Sequence, residues 1–258
     1  DYAYTKISVK MAENPSLRRV GLTASLPEED KVEEILHNLR LSRIEARQEG
    51  SKEVAPYIQK TSVELVEVQL NPLLNRVRSE LLEVIKEYVN RLHSLGLGSG
   101  IGVPPKMKQL IELRAKPEYS ANSSARSLLI SLIRLSIMLE LIETQTVVTF
   151  IHFVERLQSR SRGVGLKDLL QNEHLRTAYE IAKGTLELGV EHPKLEELVK
   201  ILKTLRAGEK AIVFTSYRAS AQEICKRLAS EHFRVRILIG KRGAEDYRKK
   251  SRLLCLRI

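Results

Sequence analysis

The sequence predicts an α/β chain interrupted by an all-α insertion, and three observations carry that reading. Ala211-Ile212-Val213-Phe214 is an apolar run rich in β-branched and aromatic residues, the pattern of a buried strand. A helical pattern follows it directly, with Ala221, Ile224, Cys225 and Leu228 on one side. Residues 71–190 read as an all-α module of four to five helices, whereas residues 17–47 alternate between strand-like and helix-like stretches.

In chain order, residues 17–25 read as a strand running into Thr23 and Ser25. Glu28 to Leu39 reads as a helix, because Val32, Ile35, Leu36 and Leu39 recur at three and four with acids in the first turn. Arg43 to Arg47 reads as a short strand, and Thr61 to Leu70, alternating around Glu64 and Glu67, as another. From Leu73 to Leu95 the apolar residues Leu74, Val77, Leu81, Ile85, Tyr88 and Leu92 mark a long helix. The glycines of residues 96–102 follow a helix rather than a strand, so they read as a loop and not a phosphate cradle. Pro104-Pro105 opens a basic segment, and Ser123 or Ser124 is placed to cap the next helix. Leu128 to Ile142 is apolar nearly all round, which predicts the centre of a bundle. Val147 to Leu157 and Leu169 to Leu188 read as two further helices. Pro193 opens a helix whose face is Leu195, Leu198, Val199, Leu202 and Leu205. Then come a strand at Ala211–Thr215, a helix at Ala219–Glu231 and a strand at Arg234–Ile239. Thr215 and Ser216 are positioned to cap the helix after the first strand, and a helix N-terminus at a strand end suits a phosphate.

Composition narrows the partner. The 258 residues carry a net charge of +11, which points to an anionic partner. Aromatics are 5% with no Trp, so contacts to a phosphate backbone are expected rather than a stacking platform. Cys225 and Cys255, the two cysteines, give neither a disulfide framework nor a CxxC pattern, and Cys225 is expected as a buried thiol. The six histidines lack metal spacing. No signal peptide or membrane span is legible, so a cytoplasmic, nucleoid-associated protein is expected.

Two motifs in the last third, His192-Pro193-Lys194-Leu195-Glu196-Glu197-Leu198-Val199-Lys200-Ile201-Leu202 and residues 211–224, resemble the start of the second motor domain of a superfamily 2 helicase. The resemblance is to the Hef and FANCM branch, archaeal and eukaryotic fork-remodelling DNA helicases. Val20-Gly21-Leu22-Thr23-Ala24-Ser25 resembles that family's motif III, and Glu140 to Gln145 resembles a segment of its helical insertion. The resemblance runs over residues 1 to about 240. It implies the end of a first RecA-like domain at 1–70, a thumb-like helical bundle at 71–190, and the beginning of a second RecA-like domain at 191–258. After Gly240 the sequence departs from the family, with the basic run Lys241 to Lys250. The resemblance also implies roles. Thr23, Ala24 and Ser25 would couple the ATP site to nucleic-acid movement. Thr215, Ser216, Tyr217 and Arg218 would touch the nucleic-acid backbone. In the insertion the candidate DNA contacts are Lys106, Lys108, Arg114, Arg126, Arg156, Arg160, Arg162 and Lys167.

The chemistry of ATP hydrolysis is missing from these residues. No GxxxxGK[ST] loop and no DExH sequence occurs, and Gly240-Lys241 is followed by Arg242. The expectation is therefore a piece of an ATP-dependent DNA helicase or translocase that acts on forked or branched DNA. This piece would supply DNA binding and no catalysis, with ATP and Mg²⁺ used by the full-length parent. Two alternatives stand beside it: a non-catalytic nucleic-acid-binding module, and a piece of a Dicer-like or RNA-sensing double-stranded RNA helicase. No membrane partner or resident metal is expected, and the oligomeric state is open.

Overall fold

The computed structural model describes residues 3–14, 16–23, 25, 27–47, 50–58, 61–160, 163–206, 208–238 and 252–257. By internal contacts the chain divides into two units, Asp1–Leu65 and Val66–Ile258.

The first unit has two helices, α1 (Ala3–Met11) and α2 (Glu29–Leu39), and a 3-10 turn at Ala55–Tyr57. The two helices touch through Ser8, whose Oγ donates to the Leu39 carbonyl at 2.6 Å. Glu29 and Asp30 in the first turn of α2 complement its dipole, as the sequence predicts. The strands expected at 17–25, 43–47 and 61–70 are not formed among the described residues. The physical reason is that a strand exists only in a hydrogen-bonded ladder, and no described residue of this region supplies one. The apolar side chains meant for strand burial stay in solvent; Leu22 is 95% and Leu65 90% exposed.

The second unit opens with α3 (Pro72–Ser94). Asn71 caps it by accepting from the Leu74 N–H at 2.9 Å, and Pro72 takes the first helical position. Its buried stripe, Leu74, Val77, Leu81, Val84, Ile85, Tyr88, Val89 and Leu92, extends the predicted one. Two short helices, α4 (Met107–Ala115) and α5 (Pro117–Ala121), lead to α6 (Ser123–Thr144). The cap of α6 is Asn122, accepting from Ala125 N–H at 3.0 Å, and not Ser123 or Ser124. An amide oxygen one residue upstream outcompetes the hydroxyls, which fall inside the first turn. As predicted, α6 lies at the centre and packs on α3, α4, α5, α7 (Val147–Ser159) and α8 (Val164–Gln171).

The single helix expected at 169–188 is two, α8 and α9 (Glu173–Glu187). Asn172 breaks the run, since its side chain caps α9 by accepting from Leu175 N–H at 3.2 Å. Helix α9 lies along α3, and polar ties join α3 to the α8–α9 corner. His174 Nδ1 meets Glu80 at 2.7 Å, Asn172 donates to Glu87 at 2.7 Å, and Asp168 accepts from both Tyr88 and Arg91 at 2.8 Å.

Helix α10 (Pro193–Lys203) precedes β1 (Lys210–Thr215), α11 (Arg218–Ser230) and β2 (Val235–Leu238), the predicted strand–helix–strand order. A third strand, β3 (Arg252–Arg257), runs antiparallel between them, so the sheet order is β1-β3-β2. Its register sets Ile212 opposite Cys255 and Ile237 opposite Leu254. Val199, Leu202 and Leu228 form the core beneath one face of β1, with Ala211 and Val213 against them. Residues 191–238 therefore share one compact unit with the helical bundle.

Candidate nucleic-acid interface

The stretch that resembles motif III lies in the first unit. Thr23 Oγ1 donates to the Ser25 carbonyl at 2.8 Å and accepts from the Ser25 N–H at 3.3 Å, a self-contained hydroxyl turn. It does not cap α2, whose cap position is Glu28. Ala24 lies outside the described residues.

The turn Thr215–Arg218 lies at the junction of β1 and α11. The cap position of α11 is Tyr217, with no side-chain cap, so Thr215 and Ser216 do not cap it as predicted. Thr215 is turned instead toward Gln145, the residue that ends α6, and donates to its Oε1 at 3.4 Å. Ser220, one turn into α11 and 1% exposed, donates to the same oxygen at 2.8 Å. That fixes the direction of the remaining bonds. With its proton committed, Ser220 accepts from Thr149 (3.1 Å), and Thr149 then accepts from Thr146 (2.9 Å). The chain of donors runs Thr146, Thr149, Ser220, Gln145, and ends on the Gln145 amide oxygen.

Tyr217 packs on the core of the helical bundle. Burial, then the charge of Glu140, holds its phenol above the usual range, and Arg156 opposes the shift. Arg156 of α7 therefore stands close enough to the turn to act on it electrostatically, and its guanidinium stacks on Phe153 at 5.4 Å. Ser216 is exposed, and Arg218 keeps a buried Nε without a hydrogen-bond partner. The first-turn N–H groups of α11 lack a capping side chain, and the helix opens on Arg218: an arrangement suited to an anion.

The remaining described basic candidates lie on α6 or at helices packed against it. A Cβ placed on Gly165 would lie 1.7 Å from Ser127 Oγ, so the beginning of α8 rests directly on α6. This contact sets Arg126 beside the 163–167 segment that carries Lys167, and both cations are exposed. Helix α4, with Lys108 and Arg114, packs on α6 as well. The two basic series, some 40 residues apart in sequence, thus flank one helix. The side chains of Lys106, Arg114, Arg126, Arg160 and Lys167 have no hydrogen-bond or ion-pair partner among the described residues. Lys108 has only a long pair with Glu112 at 3.9 Å. The acids that flank the second series are engaged elsewhere: Asp168 by Tyr88 and Arg91, Glu155 by the Tyr179 hydroxyl. Arg162 lies outside the described residues, as does the basic run 241–250.

Two structural groups were not legible as such. His192 is 4% exposed; its Nδ1 accepts from Lys194 N–H, capping α10, and its Nε2 donates to the Ile142 carbonyl at 3.0 Å. A polar residue immediately before Pro193 was the available signal. Gln145 was marked only by its place in the Glu140–Gln145 segment, since its partners lie 70 and 75 residues away. Cys225, expected as a buried thiol, is half-buried, because the exposed edge of α11 lies one residue on at Lys226. No three metal-ligating side chains converge among the described residues, and no described helix is long and apolar enough to cross a membrane.

No family model matches the chain. It is 28% identical over 253 residues to MJ1505 of Methanocaldococcus jannaschii, provisionally named an ATP-dependent RNA helicase, covering 95% of this chain and 32% of that protein. The Arabidopsis thaliana protein named DEAD-box ATP-dependent RNA helicase FANCM is 23% identical over 251 residues, covering 89% and 18%. The ATP-dependent DNA helicase MPH1 of Saccharomyces cerevisiae is 25% identical over 276 residues, covering 95% and 27%. Among solved structures, the Pyrococcus furiosus Hef helicase domain superposes with a TM-score of 0.68 at 23% identity, covering 95% of this chain and 54% of that one. The chain spans about a third or less of the curated relatives it matches. The relatives it resembles in sequence thus include helicases of the FANCM and MPH1 type, and its fold resembles that of the Hef helicase domain.

Proposed function

We propose that this chain is the part of a DNA helicase or translocase that grips the backbone of forked or branched DNA, in the repair of stalled replication forks. The observation that carries the reading is the packing of both α4 and α8 on α6, the latter through the contact of Gly165 with Ser127, which sets the two basic series around one helix, where most of these cations have no partner. Unpaired cations on a rigid helical frame neutralise phosphates and read no sequence. ATP and Mg²⁺ belong, in this reading, to the longer proteins that the relatives represent, because these 258 residues hold no phosphate loop and no DExH pair. Thr23, Ala24 and Ser25 would serve coupling to the ATP site there, and Thr215 to Arg218 would hold the backbone beside the insertion.

The test is a titration of fluorescent forked and linear duplexes at several salt concentrations, with the variant Arg156→Ala/Arg160→Ala/Arg162→Ala. Affinity should fall steeply with salt and vary little with sequence. The variant should flatten the slope of log affinity against log salt by roughly 0.9 per lost contact. An unchanged slope removes this stretch from the binding surface. Some relatives are named as RNA helicases, so an RNA duplex forms a second arm. Tighter binding to RNA than to DNA would favour the double-stranded RNA reading.

A further inference from the structure

The turn that faces the proposed nucleic-acid site is held from outside its own motif. Thr215 is the first residue of that turn and Ser220 stands in the first two turns of α11. Both give their hydroxyl protons to one oxygen of Gln145, at 3.4 and 2.8 Å. Gln145 is well placed for this. It is the C-cap of α6, its N–H bonds the Leu141 carbonyl, and its side-chain NH₂ donates to Thr144 Oγ1 at 3.2 Å. That last bond orients the amide so that the oxygen, and not the nitrogen, meets the two hydroxyls. Behind it the Thr146–Thr149–Ser220 chain leaves every hydroxyl partnered in the buried junction. Glu140, one helical turn and more upstream on α6, acts on Tyr217 of the same turn.

We infer that Gln145 is a positioning residue for the Thr215–Arg218 turn, through which the helical insertion fixes the geometry of the backbone-contacting motif. The inference rests on the proposed DNA-gripping function for its purpose, but the tie itself does not. The Gln145 oxygen cross-links β1 and the start of α11 to the last turn of α6. When it is lost, the Ser220 hydroxyl has only Thr149 left to bond, the tie to the end of α6 is gone, and Thr215 is released. The turn then samples arrangements in which Ser216, Tyr217 and Arg218 no longer present one surface. Affinity for backbone phosphates falls in proportion to the time spent in those states.

The experiment uses the full 258-residue chain, and compares the parent with Gln145→Leu, Gln145→Glu and a remote core control, Leu81→Ala. Leucine keeps the volume and removes the acceptor; glutamate restores an oxygen at the same reach. Leu81 is fully buried on α3, which does not pack on α11. Amide hydrogen exchange over residues 214–222 is the first readout, and binding of a fluorescent forked DNA duplex the second. Gln145→Leu should speed exchange in that window about tenfold, a local loss of about 1.4 kcal/mol, and leave α3 and α9 unchanged. It should weaken duplex binding about three- to tenfold, and Gln145→Glu should return exchange to the parental rate. Unchanged exchange in Gln145→Leu overturns the tie. Acceleration spread through α3 and α9, as in Leu81→Ala, makes the residue merely structural and also overturns it. Local acceleration with parental duplex affinity overturns the positioning role. If the parent itself binds no duplex, the proposed function fails, and the tie is decided by exchange alone.

Discussion

Replacing Asp168 by Ala removes the one acceptor shared by Tyr88 and Arg91, and its cost can be worked from the geometry. Tyr88 is 1% exposed and its hydroxyl donates to Asp168 Oδ2 at 2.8 Å. Losing a charged acceptor for a buried donor costs about 1.5–3 kcal/mol. Arg91 donates to the same oxygen at 2.8 Å, but both side chains are more than two-fifths exposed, so this pair adds at most about 1 kcal/mol. The expected loss is about 2–4 kcal/mol. For a unit of this size, each kcal/mol lowers Tm by about 2–4 °C, so thermal unfolding should shift down by about 4–16 °C. Tyr88→Phe removes the donor and leaves Asp168 paired with Arg91, so it should cost only about 1 kcal/mol. The acid limb of stability carries a further signature. Burial pushes the Asp168 carboxyl up, but the bonds from Tyr88 and Arg91 outweigh it and hold the group below its ordinary value. Its contribution is therefore present above the unfolded carboxylate value, near 3.8, and is lost as pH falls through the folded one. The assay is thermal melting followed by circular dichroism from pH 3 to 8. A neutral-pH shift below about 2 °C for Asp168→Ala, or a larger shift for Tyr88→Phe, would refute the assignment.

Two histidines should pull the pH profile in opposite directions. Burial lowers the His192 value below 6.5, and its Nδ1 is needed as an acceptor, so stability is full above pH 6.5 and falls as pH drops below it; His192→Asn, which keeps a cap, should flatten that fall. The bond to Glu80 raises the value of His174, so its smaller, half-exposed contribution is present below pH 6.5 and is lost as pH rises through the elevated value; His174→Gln should remove that loss, and an unaltered Tm profile in either variant contradicts the corresponding assignment. The chain should release phosphate from ATP only at background rate, with or without forked duplex, and DNA-stimulated release that survives purification from host ATPases would defeat this expectation.

Helices α3, α6, α7, α10 and α11 were legible because each rests on information a few residues apart: apolar spacing of three and four, prolines 72 and 193 at first positions, and polar residues at their starts. The absence of a phosphate loop and of a DExH pair was equally a property of the sequence alone. What sequence could not decide depended on partners distant in the chain. The apolar stretches at 17–25 and 61–70 have strand composition but acquire no ladder among the described residues, and a strand without one is only extended chain. β3, at 252–257, enters between β1 and β2 as an antiparallel neighbour, a pairing that no local pattern encodes. The run 169–188 splits because the Asn172 side chain caps a new helix while its amide nitrogen reaches Glu87 on α3. The candidate interface divides in the same way. Its cations could be named from charge, but only the packing of α4 and α8 on α6 brings the two series to one helix. Only the tertiary structure sets the Gln145 oxygen against hydroxyls 70 and 75 residues on, because hydrogen bonds select on distance and direction, which helical periodicity does not specify.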